Sequence, residues 1–418
     1  MSSSTPQIEV PEPFHSRAVA LDRADRLAEH VDAFLPSESL VAYLDGNSLG
    51  RPLRATGPRM AEFIEGAWGT RLIRSWDESW MELPTELGDR IARVTLGAGP
   101  GQTVVGDSTT VMLYKLLRAA VDARPGRDVI IADRENFPSD RFVIEGVARE
   151  RGLEVRWIEP DSRGAVTLEQ VTALLDERVA AVELSHVAFR SGAIAELPPI
   201  TAAVHGAGAL MLWDLCHSTG AVELELDRDG VDLAVGCTYK YLNGGPGAPA
   251  FAYVATRLQA ALHQPVQGWM GAAEPFAMGP RYEPDAGVRR FISGTPPIVG
   301  MLPMIDMLAL LAEVGMAAVR EKSLALTEFV LAYADERLAP LAVALASPRE
   351  PARRGGHVML EHPAFPKLVG ELWQRGVIPD LRPPQGLRIG LSPLSTSFVE
   401  LSRGLAVIEE LLRRGSRH

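Results

Sequence analysis

A single lysine closes an apolar run and opens a glycine-rich turn in Val231-Asp232-Leu233-Ala234-Val235-Gly236-Cys237-Thr238-Tyr239-Lys240-Tyr241-Leu242-Asn243-Gly244-Gly245-Pro246-Gly247. The apolar run reads as a buried strand. The turn after it must bend sharply and bring backbone close to something. An amine at the end of a packed strand is poorly hydrated, which favours its neutral, nucleophilic form. Such an amine condenses with aldehydes, and pyridoxal phosphate (PLP) is the commonest aldehyde cofactor. An isolated strand-end lysine is ordinarily a surface residue, so the weight falls on its company. Asp214 ends another apolar run, Ala209-Leu210-Met211-Leu212-Trp213. A partly buried carboxylate needs a cation or several donors. A protonated pyridine nitrogen would serve, and the pairing keeps PLP a strong electron sink. His217 could orient that carboxylate; the plainer reading is a satisfied strand-end Asp–His pair. Asp107-Ser108-Thr109-Thr110 opens a helix. It reads as an N-cap, and its free N–H groups beside two threonine hydroxyls also suit a phosphate.

These groups need a scaffold, and the chain supplies a regular one. From Gln102 onward strand and helix alternate. Strands are predicted at 103–105, 128–132, 154–158, 179–184, 209–213, 233–236 and 250–254, with helices at 111–122, 139–151, 168–175 and 199–206. Near-continuous Val/Ile/Leu strands joined by helices indicate an α/β fold with a mostly parallel sheet buried on both faces. Ligands on such sheets lie off the strand carboxyl ends, where every group named above falls. Upstream, residues 1 to about 14 offer little to bury, and a helix is predicted over 16–34. Tyr43-Leu44-Asp45-Gly46-Asn47-Ser48-Leu49-Gly50 reads as a short strand breaking into a turn, either simple punctuation or a place where Gly46 and Gly50 let the backbone face a ligand. The stretch 59–96 is helical in pattern and carries Trp68, Trp76 and Trp80, either core filling or the wall of an aromatic pocket. After Pro296-Pro297 a long helical stretch runs from 298 to about 338, with Gly315 as a break. Three regions follow: an N-terminal segment (1–50) packing with the small domain, a large domain (51–300) and a smaller C-terminal α+β domain (301–418).

Composition narrows the function classes. A chain of 418 residues is too long for one core, so two domains are expected. Its formal net charge of −11 argues against nucleic acid or an anionic membrane as the main partner. Two cysteines, Cys216 and Cys237, form neither a disulfide framework nor a metal cluster, and the nine histidines lack ligand-like spacing. A reducing cytoplasm fits this usage, and the N-terminus lacks the basic and apolar regions of a signal peptide. The segment 302–319 is interrupted by Asp306 and Glu313 and reads as an internal helix.

Four stretches make a family resemblance specific: Tyr43 to Gly50, Phe137-Pro138-Ser139-Asp140, Trp213-Asp214-Leu215-Cys216-His217-Ser218-Thr219-Gly220-Ala221-Val222, and Gly236 to Gly247. Together they resemble the bacterial kynureninases, PLP enzymes of the aspartate-aminotransferase fold type, in order from about 16 to 412. The resemblance implies a seven-stranded large-domain sheet. It implies PLP-dependent hydrolysis of the Cβ–Cγ bond of L-kynurenine, or a ring-substituted kynurenine, to an anthranilate and L-alanine. It also implies a place in tryptophan catabolism or a secondary-metabolite pathway. Lys240 would bond the cofactor aldehyde and later move protons. Tyr239 would reach the phosphate and assist proton transfer, and Asp214 would hold the pyridine nitrogen with His217 beside it. Phe137 would stack on the ring, with Asp140 below and Ser185 near its hydroxyl. Thr109 and Thr110 would bind phosphate, completed by Trp269 and Thr295 from a second copy, which makes a homodimer with shared sites. Arg388, in Leu387-Arg388-Ile389-Gly390, would clamp the substrate carboxylate as a bidentate fork. Trp76, Asn47 and Gly294 would contact the substrate.

Four positions depart from the family words: Ala188, Phe189, Met112 and Ser395. They raise the alternative of a different ring-substitution preference. Gly294-Thr295, where 3-hydroxykynurenine-preferring enzymes carry Ser-Asn, leans toward the unsubstituted substrate. A related lyase or desulfurase of the same fold and a PLP-binding protein without turnover are the other readings. A desulfurase needs a mobile loop cysteine, and neither cysteine here sits in such a place.

Overall fold

The computed structural model describes residues 8–37 and 39–415. Seven strands build the larger sheet: β2 (Thr103–Gly106), β3 (Val129–Asp133), β4 (Glu154–Ile158), β5 (Val179–Ser185), β6 (Leu210–Asp214), β7 (Leu233–Cys237) and β8 (Ala250–Val254). Their order is β2-β8-β7-β6-β5-β3-β4. β4, β3, β5, β6 and β7 run parallel, while β8 is antiparallel to both its neighbours. β3, β6, β7 and β8 are buried along their whole length, which is why they read as unbroken apolar runs.

Each face of this sheet has its own cover. The helices Thr109–Asp122 and Pro138–Arg151 lie on one side, where Leu113, Leu116, Ile144 and Val147 meet Ile130, Leu212 and Val235. On the other side Ile91, Ile200, Met304 and Leu308, from the helices Leu83–Ile91, Leu197–Gly206 and Ile298–Val314, meet Ile131, Val182 and Trp213. The predicted long helix is broken at Gly315, whose φ of 80° suits glycine, and the chain bends there by 91°. No single helix among the described residues is long and apolar enough to cross a membrane.

A second sheet joins the two ends of the chain. β1 (Ala42–Leu44) pairs parallel with β11 (Val377–Arg382), and the order continues through β12 (Gly386–Gly390) and β10 (His357–Glu361) to β9 (Ala344–Leu345). Phe14, Phe329, Val358, Ile389 and Leu405 belong to its core. Two N-terminal expectations need correction. Residues 1–7 lie outside the described residues, but Ile8 and Val10 pack on this second core and Phe14 is buried in it, so the segment does bury apolar surface. The helix predicted over 16–34 runs only over Phe14–Ala24; a short 3₁₀ turn, Ala28–Ala33, follows. Asp22 explains the tether: its carboxylate accepts from the N–H groups of Phe398 (2.7 Å) and Val399 (2.9 Å), capping the C-terminal helix Phe398–Gly415.

Candidate active site

The strand register places the first groups. Ser185 and Asp214 are partners at the carboxyl ends of β5 and β6, and Lys240 follows β7 by three residues. On the adjacent helix start, Ser108 is the N-cap and Thr109 begins the helix, two residues earlier than predicted. One cavity is lined by Thr109, Thr110, Phe137, Asp140, Ser185 and Asp214 from one side and by His217, Tyr239 and Lys240 from another. Ser139, Phe189 and Cys216 complete its wall. All nine residues expected to hold the cofactor from within one chain therefore meet in one place.

Lys240 Nζ lies 3.0 Å from His217 Nε2. Burial, then the charges of Lys240 and Arg388, hold the His217 imidazole well below its usual range, so it is neutral. Asp214 is 6% exposed, and its Oδ1 accepts the N–H of Cys216 at 2.6 Å. Asp140 lies beside it, 2% exposed, with Oδ2 lacking a partner. Burial and the neighbouring Asp214 push the Asp140 carboxyl well up. Burial likewise raises the Tyr239 phenol, which stays protonated as an acid requires. Phe137, with a half-exposed ring, meets Phe189 edge-on at 5.4 Å.

The turn 45–50 does something other than expected. A Cβ on Gly50 would collide with Lys240 O and Asn243, and one on Gly46 with Ser392. These glycines permit close approach of backbone to the protein itself, not to a ligand. The Gly50 N–H donates to Tyr239 O at 2.9 Å, so the turn clamps the lysine loop from behind. Asn243, with φ of 50°, holds the same loop by donating to Arg51 O at 2.7 Å.

Arg388 lies outside the cavity lining. It is 1% exposed, and it donates to Ser48 Oγ (2.7 Å) and Phe189 O (2.8 Å) while pairing with Asp380 at 2.7 Å. Asn47, with its amide nitrogen toward Asp45, accepts from Arg388 Nε at 3.0 Å. Desolvation pulls the guanidinium down to about 10, still charged at neutral pH. Trp76 is half-buried, edge-on to Trp80 at 5.3 Å, and also lies outside the lining. Trp269, Gly294 and Thr295 are exposed and lie outside it too. Of the four departures, Phe189 walls the cavity. Met112 points into the core beneath the sheet, Ala188 packs at the edge of the opposite core, and Ser395 is buried beside Tyr241 and Ser392.

Three further residues belong to the site. Asn136 accepts from the Phe137 N–H and the Ser185 hydroxyl, both at 2.7 Å. Glu183 is fully buried and bonds only to Asn136. His357, also fully buried, sets its ring 5.3 Å from His217. An acidic residue inside the apolar run 179–184 was the available signal for Glu183; nothing in the local sequence marks the others.

The donor set suits PLP. A nucleophilic amine, an aspartate at a strand end, aromatic rings above and a helix N-terminus with two threonines converge on one space. The orphaned Asp140 Oδ2 and His217 Nδ1 are polar atoms buried beside it without a protein partner.

Comparison with known proteins agrees. Residues 91–358 match the aminotransferase class-V family, and residues 319–408 match the kynureninase C-terminal domain. The chain is 43% identical over 403 residues to a kynureninase of Burkholderia pseudomallei, with 94% of each chain covered. It is 40% identical to one of Pseudomonas fluorescens, with 95% of each covered. The chain belongs to the kynureninase family. It is thus a PLP-dependent enzyme of that family, with the large-sheet and small-sheet architecture expected. Among solved structures it resembles an apo cysteine desulfurase of Thermococcus onnurineus, with a TM-score of 0.77 over 89% of this chain and 95% of that one, at 19% identity. That likeness shows the shared fold alone.

Proposed function

We propose that this kynureninase-family chain hydrolyses L-kynurenine, or a ring-substituted kynurenine, to an anthranilate and L-alanine. The observation that carries the reading is the convergence of Lys240, Asp214, Tyr239 and the Thr109–Thr110 helix start on one cavity, in a chain with 43% identity to a kynureninase over nearly its whole length. Bound PLP supplies the electron sink that lets the substrate's Cα–H and then its Cβ–Cγ bond break.

The chain's own residues do the rest. Lys240 would hold the cofactor through its aldehyde and, with its amine free, would take and return the proton at the substrate Cα. Asp214 would hold the pyridine nitrogen, with Asp140 beside it. Thr109 and Thr110 hold phosphate with the free N–H groups of their helix. Phe137 and Ser185 would hold the cofactor ring, and His217 beside Lys240 holds a neutral nitrogen for that proton to meet. Tyr239, kept protonated by burial, is the acid. Arg388 anchors the substrate carboxylate, and Asn47 fixes the guanidinium plane. Water adds to the γ-ketone, the aryl carboxylate departs, and the remaining three carbons take a proton to become alanine.

Membership of the kynureninase family supports a homodimer in which Trp269 and Thr295 reach the phosphate end of a second copy's site; Trp76 and Gly294, expected at the aryl slot, lie outside this cavity. A desulfurase reading is weaker. Cys237 ends β7 and both cysteines are buried, a poor place for an attacking thiol. Anthranilate fluorescence from kynurenine tests the proposal. Sulfide from cysteine without anthranilate would replace it, and a panel with 3-hydroxykynurenine and ring-alkylated forms ranks the substrates by kcat/KM.

A further inference from the structure

Glu183 sits in the middle of β5 on the face that carries Ser185, and it is 0% exposed. A carboxylate there calls for a cation or several donors. It has one partner: the Asn136 amide, whose Nδ2 donates at 3.0 Å to one oxygen and 3.3 Å to the other. The groups facing it carry the wrong sign. Asp214 on β6 and Asp133 at the end of β3 act on it directly, and Asp140 on the helix Pro138–Arg151 feels its charge. Lys240 acts on Asp140 and is not among the groups acting on Glu183. No ion pair to Glu183 exists among the described residues.

Its one partner is a junction. With Nδ2 turned to Glu183, the Asn136 oxygen must face the other way, where it accepts from the Phe137 N–H and the Ser185 hydroxyl. Phe137 leads into the helix that carries Asp140, so one amide fixes the stacking residue, the serine and the helix start together. A reversed amide would set its NH2 against the Phe137 N–H, donor against donor, and would lose that bond; the serine hydroxyl alone could turn to accept.

We propose that Glu183 is a positioning residue: an uncharged carboxylic acid that orients Asn136, and through it Phe137 and Ser185, at the cavity floor. Burial, then the neighbouring Asp214 and Asp133, push the Glu183 carboxyl well up, consistent with the geometry. A carboxyl that is fully buried with one amide donor and no cation favours its neutral form.

The positioning role rests on the cofactor reading, and the test separates the two. PLP affinity and the circular dichroism of the bound-cofactor band are measured for wild type, Glu183→Gln and Glu183→Leu holoenzymes. Urea midpoints of wild type and Glu183→Gln are followed with pH. Glutamine keeps an oxygen for Asn136 and is expected to match wild type in affinity and band shape. Leucine cannot, and PLP affinity is expected to fall about tenfold, the equivalent of about 1.4 kcal/mol. A group with a raised folded pKa stabilises below its ordinary value of 4.5 and loses that contribution as pH rises. The Glu183→Gln midpoint should therefore gain on wild type steadily above that value. A constant difference across pH would show a charged Glu183 and overturn the proposal, as would wild-type affinity and dichroism in Glu183→Leu. Should the leucine variant not fold, the glutamine pH series decides alone. Failure of wild type to take up PLP would sink the cofactor reading and the positioning role with it, whereas normal PLP binding without kynurenine turnover would sink only the substrate assignment.

Discussion

Lys240 Nζ and His217 Nε2 stand 3.0 Å apart across the cavity wall, the amine from the loop after β7 and the imidazole from the loop after β6. Desolvation keeps the imidazole neutral, so it can share the amine's proton without opposing it as a second cation. Lys240→Ala should abolish the borohydride-fixed bond to PLP and lower kcat by about 10³-fold or more, since the nucleophile and the Cα base are the same group. Reduction with borohydride followed by intact mass measures the first, and anthranilate fluorescence the second. A variant that still traps PLP covalently would place the bond elsewhere.

Arg388 is the second group whose loss should be specific. Its guanidinium is spread over Ser48, Phe189 O, Asp380 and Asn47, a planar arrangement that an ammonium cannot copy. Arg388→Lys should raise KM for kynurenine with kcat less affected. A lost hydrogen bond to a charged partner is worth about 1.5–3 kcal/mol, or roughly 10- to 150-fold in kcat/KM. Steady-state kinetics on the holoenzyme checks it; unchanged KM would remove Arg388 from the substrate.

Much of this site was legible because its residues end strands. Asp214 ends an unbroken apolar run and Lys240 stands three residues past another, and a polar residue near such a boundary stands out against its neighbours. The parallel sheet was readable for the same reason. β8 was legible as a strand, but its antiparallel insertion between β2 and β7 was not, because a fully buried strand has the same composition in either direction. The turn 45–50 shows the other limit. Its glycines were visible, yet whether they approach a ligand or the Lys240 loop depends on a chain segment nearly two hundred residues away. Asn136 and His357 escaped for a related reason: their partners are set by tertiary packing, and no local pattern marks them.

Asp45 offers a pH test of the buried network around Arg388. Burial pushes its carboxyl up to about 6, Asp380 adds to this, and the Ser48 hydroxyl and Arg388 oppose it. A raised carboxyl contributes stability that is present below its ordinary value of 3.8 and lost as pH climbs through about 6. Asp45→Asn cannot ionise and should lack that decline. The melting temperature of wild type should therefore fall relative to Asp45→Asn between about pH 4 and about pH 7, and then run parallel. Thermal unfolding across that range reads it directly. Parallel curves throughout would mean that Asp45 titrates normally in the folded chain.

The homodimer can be tested by mixing two inactive proteins. Trp269 is 40% exposed and packs edge-on against Phe276 at 5.8 Å, outside the cavity that holds Lys240. If it completes the phosphate end of a second copy's site, Trp269→Ala should weaken PLP binding in the homodimer while leaving its own Lys240 intact. In a mixed dimer of Lys240→Ala and Trp269→Ala chains, one site then joins an intact lysine to an intact tryptophan, and the other has neither. Random exchange at equal concentrations makes half the dimers mixed, so about a quarter of wild-type activity should return. Recovery above that of either parent establishes shared sites, because no single chain in the mixture carries both residues. No recovery despite verified chain exchange would confine the site to one copy and leave Trp269 a surface residue.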